Sequence, residues 1–172
     1  FPQLINLEIF KNINDYSRDI IIKKDFIFLV SLMIIDNTDN SDYFIYKFNL
    51  SNEDKKKIKF LSNVYSNKLD KNFFKEKNLW KIFYYNGKDY LFDLIDFKIF
   101  QNKKLDKNLI NLKNFFYNQE IPKLEVKAKT LIDRFNYKEG RELGIKLKEI
   151  EEFWIENSFK ISDKEINKII NN

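Results

Sequence analysis

The stretch EGRELGIKLKEIEEFWIE, residues 139–156, decides the fold class of this chain. Its apolar positions follow one another at intervals of four, three and four residues, at Leu143, Leu147, Ile150 and Trp154. Because an α-helix repeats every ~3.6 residues, this spacing places the four side chains on one face. The stretch therefore predicts a long amphipathic helix that buries this face in a core.

Helical periodicity and capping residues recur along the rest of the chain. Helices are predicted over residues 3–14, 25–35, 51–65, 70–87, 88–100, 106–116 and 127–135, with a last one after Ser162. Residues 43–48 are short and aromatic and fit either a strand or a helix, and we assign them to a helix. Gly87 is expected to end one of them, and Ser162 and Glu165 have the spacing of a capping box. The 172 residues include only 3 Gly and 2 Pro, fewer turn residues than sandwiches or barrels need. The sequence predicts an all-α fold.

Pro122 interrupts the helical pattern, because proline lacks a backbone donor and restricts the residue before it. We therefore predict a helical body over residues 1–121 and a smaller helical tail sub-domain over residues 122–172. The apolar run Phe26–Ile35 is too short to cross a bilayer and is predicted to be a buried helix, with no membrane partner. The chain begins Phe1-Pro2 without an initiator Met, from which we expect a piece of a longer protein.

The chain has no Cys and no His, so it lacks the usual zinc ligands, the thiol nucleophile and the commonest general base. We predict no catalytic residue and no metal site. Asp36, Asp39 and Asp42 are closely spaced, but the run lacks the glycine and final glutamate of a calcium loop. Asp93 and Asp96 are either a paired carboxylate site or, as we predict, a solvated polar stripe on a helix. The lack of disulfides fits a cytoplasmic protein.

The formal net charge is +5, from 31 Lys and Arg against 26 Asp and Glu. AT-rich coding also produces lysine-rich proteins, so local clusters carry more weight than the total. Two clusters are candidate RNA-binding surfaces: Lys55, Lys56, Lys57 and Lys59, and, after Pro122, Lys123, Lys127, Lys129, Arg134, Lys138, Arg141, Lys146 and Lys148. Acidic residues alternate with the second cluster, so internal pairing on an ordinary solvated face is the alternative for both.

Gly140 and Gly144 lie four residues apart near the start of the predicted long helix. Their missing side chains predict close approach of another backbone, either a helix, which we favour, or an RNA phosphate. Trp80, Tyr84 and Tyr85 offer rings that can stack on a base, but their helical spacing favours packing in the core.

Several of these segments together resemble one family. Val126–Ile132, Glu139–Gly144 and Leu147–Ile155 resemble the C-terminal signature of bacterial CCA-adding tRNA nucleotidyltransferases and their poly(A) polymerase relatives. Leu50–Glu53, ahead of a charged helix, resembles a second motif in the body of that family. The resemblance covers roughly residues 24–160, with Ala128 where the family usually has Gly and Thr130 where it usually has Asp.

The resemblance implies a helical body and tail that position the acceptor arm of a tRNA. It also implies a parent enzyme with its own catalytic head and a neck upstream, using Mg²⁺ with ATP and CTP, whereas this region itself holds no cofactor. The expected partners are tRNA and the catalytic head. The alternative is a helical scaffold that binds proteins, including a second copy of itself, or the same region of a poly(A) polymerase.

Overall fold

The computed structural model describes residues 5–11, 13–66, 73–102 and 104–171, and within these ranges all regular structure is helical. A single 3-10 turn, Leu7–Phe10, precedes the α-helices. These are α1 (Asp15–Lys23), α2 (Phe26–Ile34), α3 (Asn40–Lys47), α4 (Asn52–Ser66), α5 (Glu76–Gln101), α6 (Lys107–Tyr117), α7 (Ala128–Phe135), α8 (Arg141–Glu156) and α9 (Asp163–Ile170). The predicted all-α fold is confirmed.

The chain divides into two compact units, Phe1–Glu120 and Ile121–Asn172, which we call the body unit and the tail unit. The body unit contains α1 to α6, and α2, α4 and α5 contribute most of its core. Its fully buried side chains include Phe28, Leu32, Ile34, Ile58, Leu61, Leu79, Phe83, Leu94, Ile95, Phe97 and Phe116. Helices joined by short connections thus bury one contiguous apolar core.

Helix α2 is the apolar run that the sequence predicted to be buried. The Asp25 carboxylate accepts a hydrogen bond from the backbone N–H of Phe28 at 2.7 Å and caps the helix. Phe28, Leu32 and Ile34 are all nearly inaccessible to solvent. Of the helices in the described ranges, none combines the length and apolarity needed to cross a bilayer.

Helix α5 is broken at Gly87. This glycine has φ 85° and ψ 179°, a conformation that side-chain-bearing residues rarely adopt, so the helix ends there and a second one follows. Both features were predicted. The predicted start at Asp70 lies outside the described residues, and the helix begins at Glu76.

The predicted first helix over residues 3–14 is wrong where the structure describes it. Only Leu7–Phe10 form a 3-10 turn, and α1 begins at Asp15. The Asn6 side chain accepts from the Glu8 N–H, and the Asn14 side chain accepts from the Ser17 N–H. Such local bonds compete with helix formation and favour caps and turns.

The tail unit contains α7, α8 and α9 around a small core of Leu131, Leu143, Ile150 and Ile166. Leu143, Ile150 and Trp154 of α8 are buried, so the predicted face is confirmed. The capping box of α9 is also present.

Candidate nucleic-acid interface

The three helices of the tail unit begin in different ways. In α7 the Thr130 hydroxyl accepts from the Lys127 N–H at 3.3 Å. In α9 the Ser162 hydroxyl accepts from the Glu165 N–H at 3.4 Å, and the Glu165 carboxylate accepts from the Ser162 N–H at 2.7 Å. Helix α8 starts at Gly140, where no side chain caps the first turn. Its first backbone N–H groups therefore lack a side-chain acceptor.

The start of α8 is also open. Gly140 has φ 150°, and a Cβ built on Gly140 or Gly144 meets no heavy atom of the described residues within 4 Å. The favoured prediction that a helix packs closely against these glycines is therefore wrong for the described part of the chain. Both glycines are exposed, whereas Leu143 and Ile150 of the same helix are buried in the core of the tail unit. The alternative, an approaching RNA phosphate, stays a prediction.

A shallow cavity of about 540 Å³ surrounds this helix start. Lys138 and Arg141 line it together with Glu139 and Glu142, so cationic and anionic side chains balance. The remaining positive potential comes from the uncapped N–H groups, because the helix dipole places about half a positive charge at this end.

Cations also crowd the start of α7. Lys127 is its N-cap residue, Lys129 lies in the first turn, and both are exposed. No acidic residue lies in that first turn. Helix N-termini normally attract acids, so two lysines there are unfavourable unless an anion binds.

The predicted basic cluster of the tail unit separates into paired and unpaired residues. Arg134 is bonded to Asp163 at 2.6 Å, Lys146 to Glu149 at 2.9 Å, and Lys148 lies 3.8 Å from Glu152. The members that are exposed and form no ion pair with another described residue are Lys123, Lys127, Lys129, Lys138 and Arg141. Ion pairing within the tail unit, the alternative interpretation of this cluster, therefore accounts for Arg134, Lys146 and Lys148.

The predicted cluster in α4 also separates. Lys56 and Lys59 are exposed and Lys55 is half-buried. The Lys57 side chain is only 18% exposed, and its Nζ lies 2.5 Å from Asp25 Oδ2 and 2.8 Å from Asp93 Oδ2. The prediction of Lys57 as an RNA contact is therefore corrected, because these two carboxylates already engage its ammonium group.

Asp93 and Asp96 form the centre of a buried ion network. The prediction of a solvated stripe is wrong, since Asp93 is 4% exposed and Asp96 is inaccessible. Lys24 bridges the two carboxylates at 2.6 and 2.8 Å, and Lys113 donates to both oxygens of Asp96 at 2.7 Å. Asp93 Oδ2 accepts no aligned hydrogen bond from the described residues, although Lys57 Nζ lies beside it.

The network perturbs the pKa values of its members. Burial disfavours the charged form of Lys24, but the carboxylates of Asp93 and Asp96 outweigh it and raise the pKa of this lysine. Burial likewise opposes the charge of Lys57, but the adjacent carboxylates of Asp25 and Asp93 outweigh it and raise the pKa of this lysine. Burial acts to raise the pKa of Asp25, but bonds from Lys57 and the Phe28 N–H lower it overall. All three groups are held in their charged forms.

The sequence contained a signal for this network that was misread. Asp93 and Asp96 stand in LFDLIDFKIF, residues 91–100, where apolar residues surround them on every side of the helix. Carboxylates in a helix that is apolar all round are buried and need cationic partners. The identity of those partners, Lys24, Lys57 and Lys113, was not readable from the pattern.

Asp36 has a local structural role. Its carboxylate accepts from the Thr38 hydroxyl at 2.5 Å and from the Asn40 side chain at 2.9 Å. Across residues 5–11, 13–66, 73–102 and 104–171, no group of three or more acids, His or Cys is arranged to hold a metal ion.

The three aromatic residues considered for base stacking differ in burial. Trp80 is half-buried and packs against Phe83 and Phe116, with ring centroids 5.5 and 4.9 Å apart, as the core interpretation predicts. The ring centroids of Tyr84 and Tyr85 are 5.2 Å apart, and Tyr85 is 58% exposed.

Comparison of the chain with protein-family models, with curated proteins and with solved structures finds no match.

Proposed function

We propose that this chain is the RNA-holding helical region of a tRNA nucleotidyltransferase and that its tail unit binds phosphates of the acceptor arm. The observation that supports the proposal most directly is the set of unpaired cations at two helix N-termini, Lys127 and Lys129 at α7 and Lys138 and Arg141 at α8. Phosphate oxygens accept both from helix N-terminal amides and from cationic side chains.

The chemistry of these residues favours contacts to the phosphate backbone of an RNA over recognition of its bases. Lysine provides a point charge that binds any phosphate, and uncapped amides bind oxygen acceptors without regard to sequence. A folded RNA arm is recognised largely through its shape and phosphates. A tail unit of this kind would hold an acceptor arm in place without selecting a nucleotide.

The parent activity belongs to the same proposal. The resemblance of Val126–Ile132 and Leu50–Glu53 to the CCA-adding family implies a separate catalytic head that uses Mg²⁺ with CTP and ATP. Nucleotide selection would belong to that head and its neck. The present region would therefore have the same role in CCA addition and in poly(A) addition. Measuring which nucleotides the parent enzyme incorporates distinguishes these two activities.

Titration of the chain with tRNA at several salt concentrations tests the proposal. We expect binding that weakens steeply with salt, because phosphate contacts release counterions. Lys127→Glu with Lys129→Glu should weaken binding at least about tenfold and reduce the slope of log affinity against log salt by about one per lost contact.

The matched control is Lys104→Glu with Lys168→Glu, which changes net charge equally at exposed lysines elsewhere. It should affect binding much less. Equal losses in both double variants would show that overall charge, and not the α7 start, attracts the RNA. No binding of tRNA at low salt would refute the proposal.

A helical protein-binding scaffold is the second candidate function. Ile22, Phe26 and Tyr46 are 82%, 70% and 86% exposed, and exposed large apolar side chains favour a protein partner or a second copy. Light scattering separates the two: a dimer that forms with concentration and ignores tRNA supports the scaffold, whereas a monomer that gains mass only with tRNA supports the RNA-holding region.

A further inference from the structure

A cavity of about 700 Å³ lies in the body unit between the N-terminal segment and the ends of α2 and α5. Its volume falls within the range of about 300–1,000 Å³ that is usual for small-molecule sites. Asn6 helps to form it, because its N–H donates to the Met33 carbonyl at 2.8 Å and holds the segment against α2. The cations proposed to bind RNA lie elsewhere and do not line this cavity.

Primary amides form part of the cavity wall. Four side chains of this kind line it: Asn6, Asn14, Gln101 and Asn102. Asn6 and Asn14 each use Oδ1 to accept from a backbone N–H, which leaves their NH₂ groups without a partner among the described residues. The Gln101 and Asn102 amides make no hydrogen bond to any described residue.

Ser17 adds an independent observation. Ser17 lines the cavity, and its hydroxyl makes no hydrogen bond to another described residue. Although the residue as a whole is 2% exposed, its hydroxyl is not one of the buried polar atoms that lack a partner, so it opens onto the cavity. A hydroxyl that opens onto a cavity is available to a polar atom of a ligand.

The rest of the lining determines the chemistry of that ligand. Leu32, Ile35 and Phe100 are buried apolar residues, and Tyr65 and Phe100 supply aromatic rings. The one lysine among the lining residues, Lys11, is bonded to Glu8 at 2.5 Å, and Asp36 adds a negative charge. A phosphate is thus disfavoured, while an uncharged planar group with hydrogen-bonding edges fits.

We propose that this cavity binds a nucleobase. A carboxamide bonds through two contacts to an edge that presents an amino donor beside a ring acceptor, as adenine does. Unstacked bases also gain from contact with aromatic side chains. The base reaches the cavity either as a free nucleoside or as an unpaired residue of a bound RNA, and the chemistry is the same for both.

Calorimetric titration with adenosine and, separately, with a short oligoadenylate tests the proposal on the full chain. Gln101→Leu removes an amide of similar size and should weaken binding at least about tenfold, which corresponds to about 1.4 kcal/mol. Gln119→Leu, an amide outside the cavity, should leave binding unchanged. Purine riboside, which lacks the amino group, should bind more weakly than adenosine.

If adenosine binds and Gln101→Leu weakens its binding, the ligand is a free nucleoside. If only oligoadenylate binds and Gln101→Leu weakens its binding, the ligand is an unpaired base of an RNA. The proposal is overturned if neither ligand saturates up to about 10 mM, or if Gln101→Leu and Gln119→Leu behave alike. Melting temperatures of both variants confirm that they fold. Because adenosine carries no phosphate, its binding is independent of Lys127 and Lys129 and of the proposed tRNA function.

Discussion

The body unit holds three partly buried lysines against carboxylates of its core, whereas the tail unit exposes lysines at the starts of its helices. In the body unit, Lys24, Lys57 and Lys113 turn inward and neutralise Asp93 and Asp96. In the tail unit, the lysines and arginines other than Lys146 are exposed, and several lie at helix starts without an acidic partner among the described residues. A count of basic residues therefore does not measure a binding surface, because the position of the carboxylates decides which cations are available.

The difference has an energetic origin. Removing an ion from water costs several kcal/mol, so a carboxylate in a core must be paired with cations that are themselves partly withdrawn from solvent. Exposed cations stay hydrated, so the folded state pays no desolvation free energy for them. Their attraction for a polyanion such as RNA can therefore contribute to binding. The charges of the buried network thus neutralise one another inside the body unit, whereas the tail unit can present its cations to a ligand.

The largest expected effect is on the buried network. Asp96→Asn leaves Lys24 and Lys113 without their shared carboxylate, and breaking a buried pair on one side costs about 3–5 kcal/mol. Urea denaturation measures the free energy of unfolding. Asp89→Asn, at an exposed position of the same helix, is the control and should cost less than about 0.5 kcal/mol. A similar small loss in both variants would mean that the network contributes nothing to stability.

A smaller effect separates the two glycines of the tail unit. Gly140→Ala should destabilise by roughly 1 kcal/mol, because alanine is strained at φ 150° although its Cβ has space. Gly144→Ala should stabilise by about 0.5–1 kcal/mol, because alanine is the better helix former at an exposed interior position. Thermal unfolding of the two variants gives the signs. A destabilising Gly144→Ala would mean that the described chain packs against this face after all.

The smallest effect is on the pH dependence of stability. The lowered pKa of Asp25 contributes stability that is present above about pH 4 and is lost as the pH falls through the folded-state value. The raised pKa values of Lys24 and Lys57 contribute stability that is present below about pH 10.4 and is lost as the pH rises through their folded-state values. Unfolding free energies should therefore form a plateau between these limits.

Lys57→Met tests the origin of the plateau. It removes the bond that lowers the pKa of Asp25, so the acid limb of the curve, which is the loss of stability below about pH 4, should become smaller. Lys56→Met, at an exposed neighbour, leaves that limb in place. An unchanged acid limb in both variants would show that Asp25 does not control it.

Local features of the fold were predictable where the residues act through their own neighbours. The Asp25 cap, the break at Gly87 and the Ser162 capping box depend on atoms a few residues apart, and each was predicted. The wrong prediction of a helix over residues 3–14 also concerns local interactions. The Asn6 and Asn14 side chains accept from backbone N–H groups nearby, but the prediction gave more weight to the apolar pattern.

The candidate sites depend on residues that are distant in sequence. Lys24 and Asp93 are separated by 69 positions, and nothing in either segment names the other. The Ser17 hydroxyl and the Gln101 amide likewise line one cavity only after α1 and α5 have packed. Neither helical periodicity nor a sequence motif predicts which distant residues come into contact.

The sequence by itself determined the helical class, most helix starts and ends, and the apolar face of α8, because backbone geometry and side-chain periodicity act locally. Only the tertiary structure decided which charges are buried, which lysines stay available and which amides line a cavity. The physical reason is that desolvation and pairing depend on the atoms that folding brings around a group, and those atoms come from other helices.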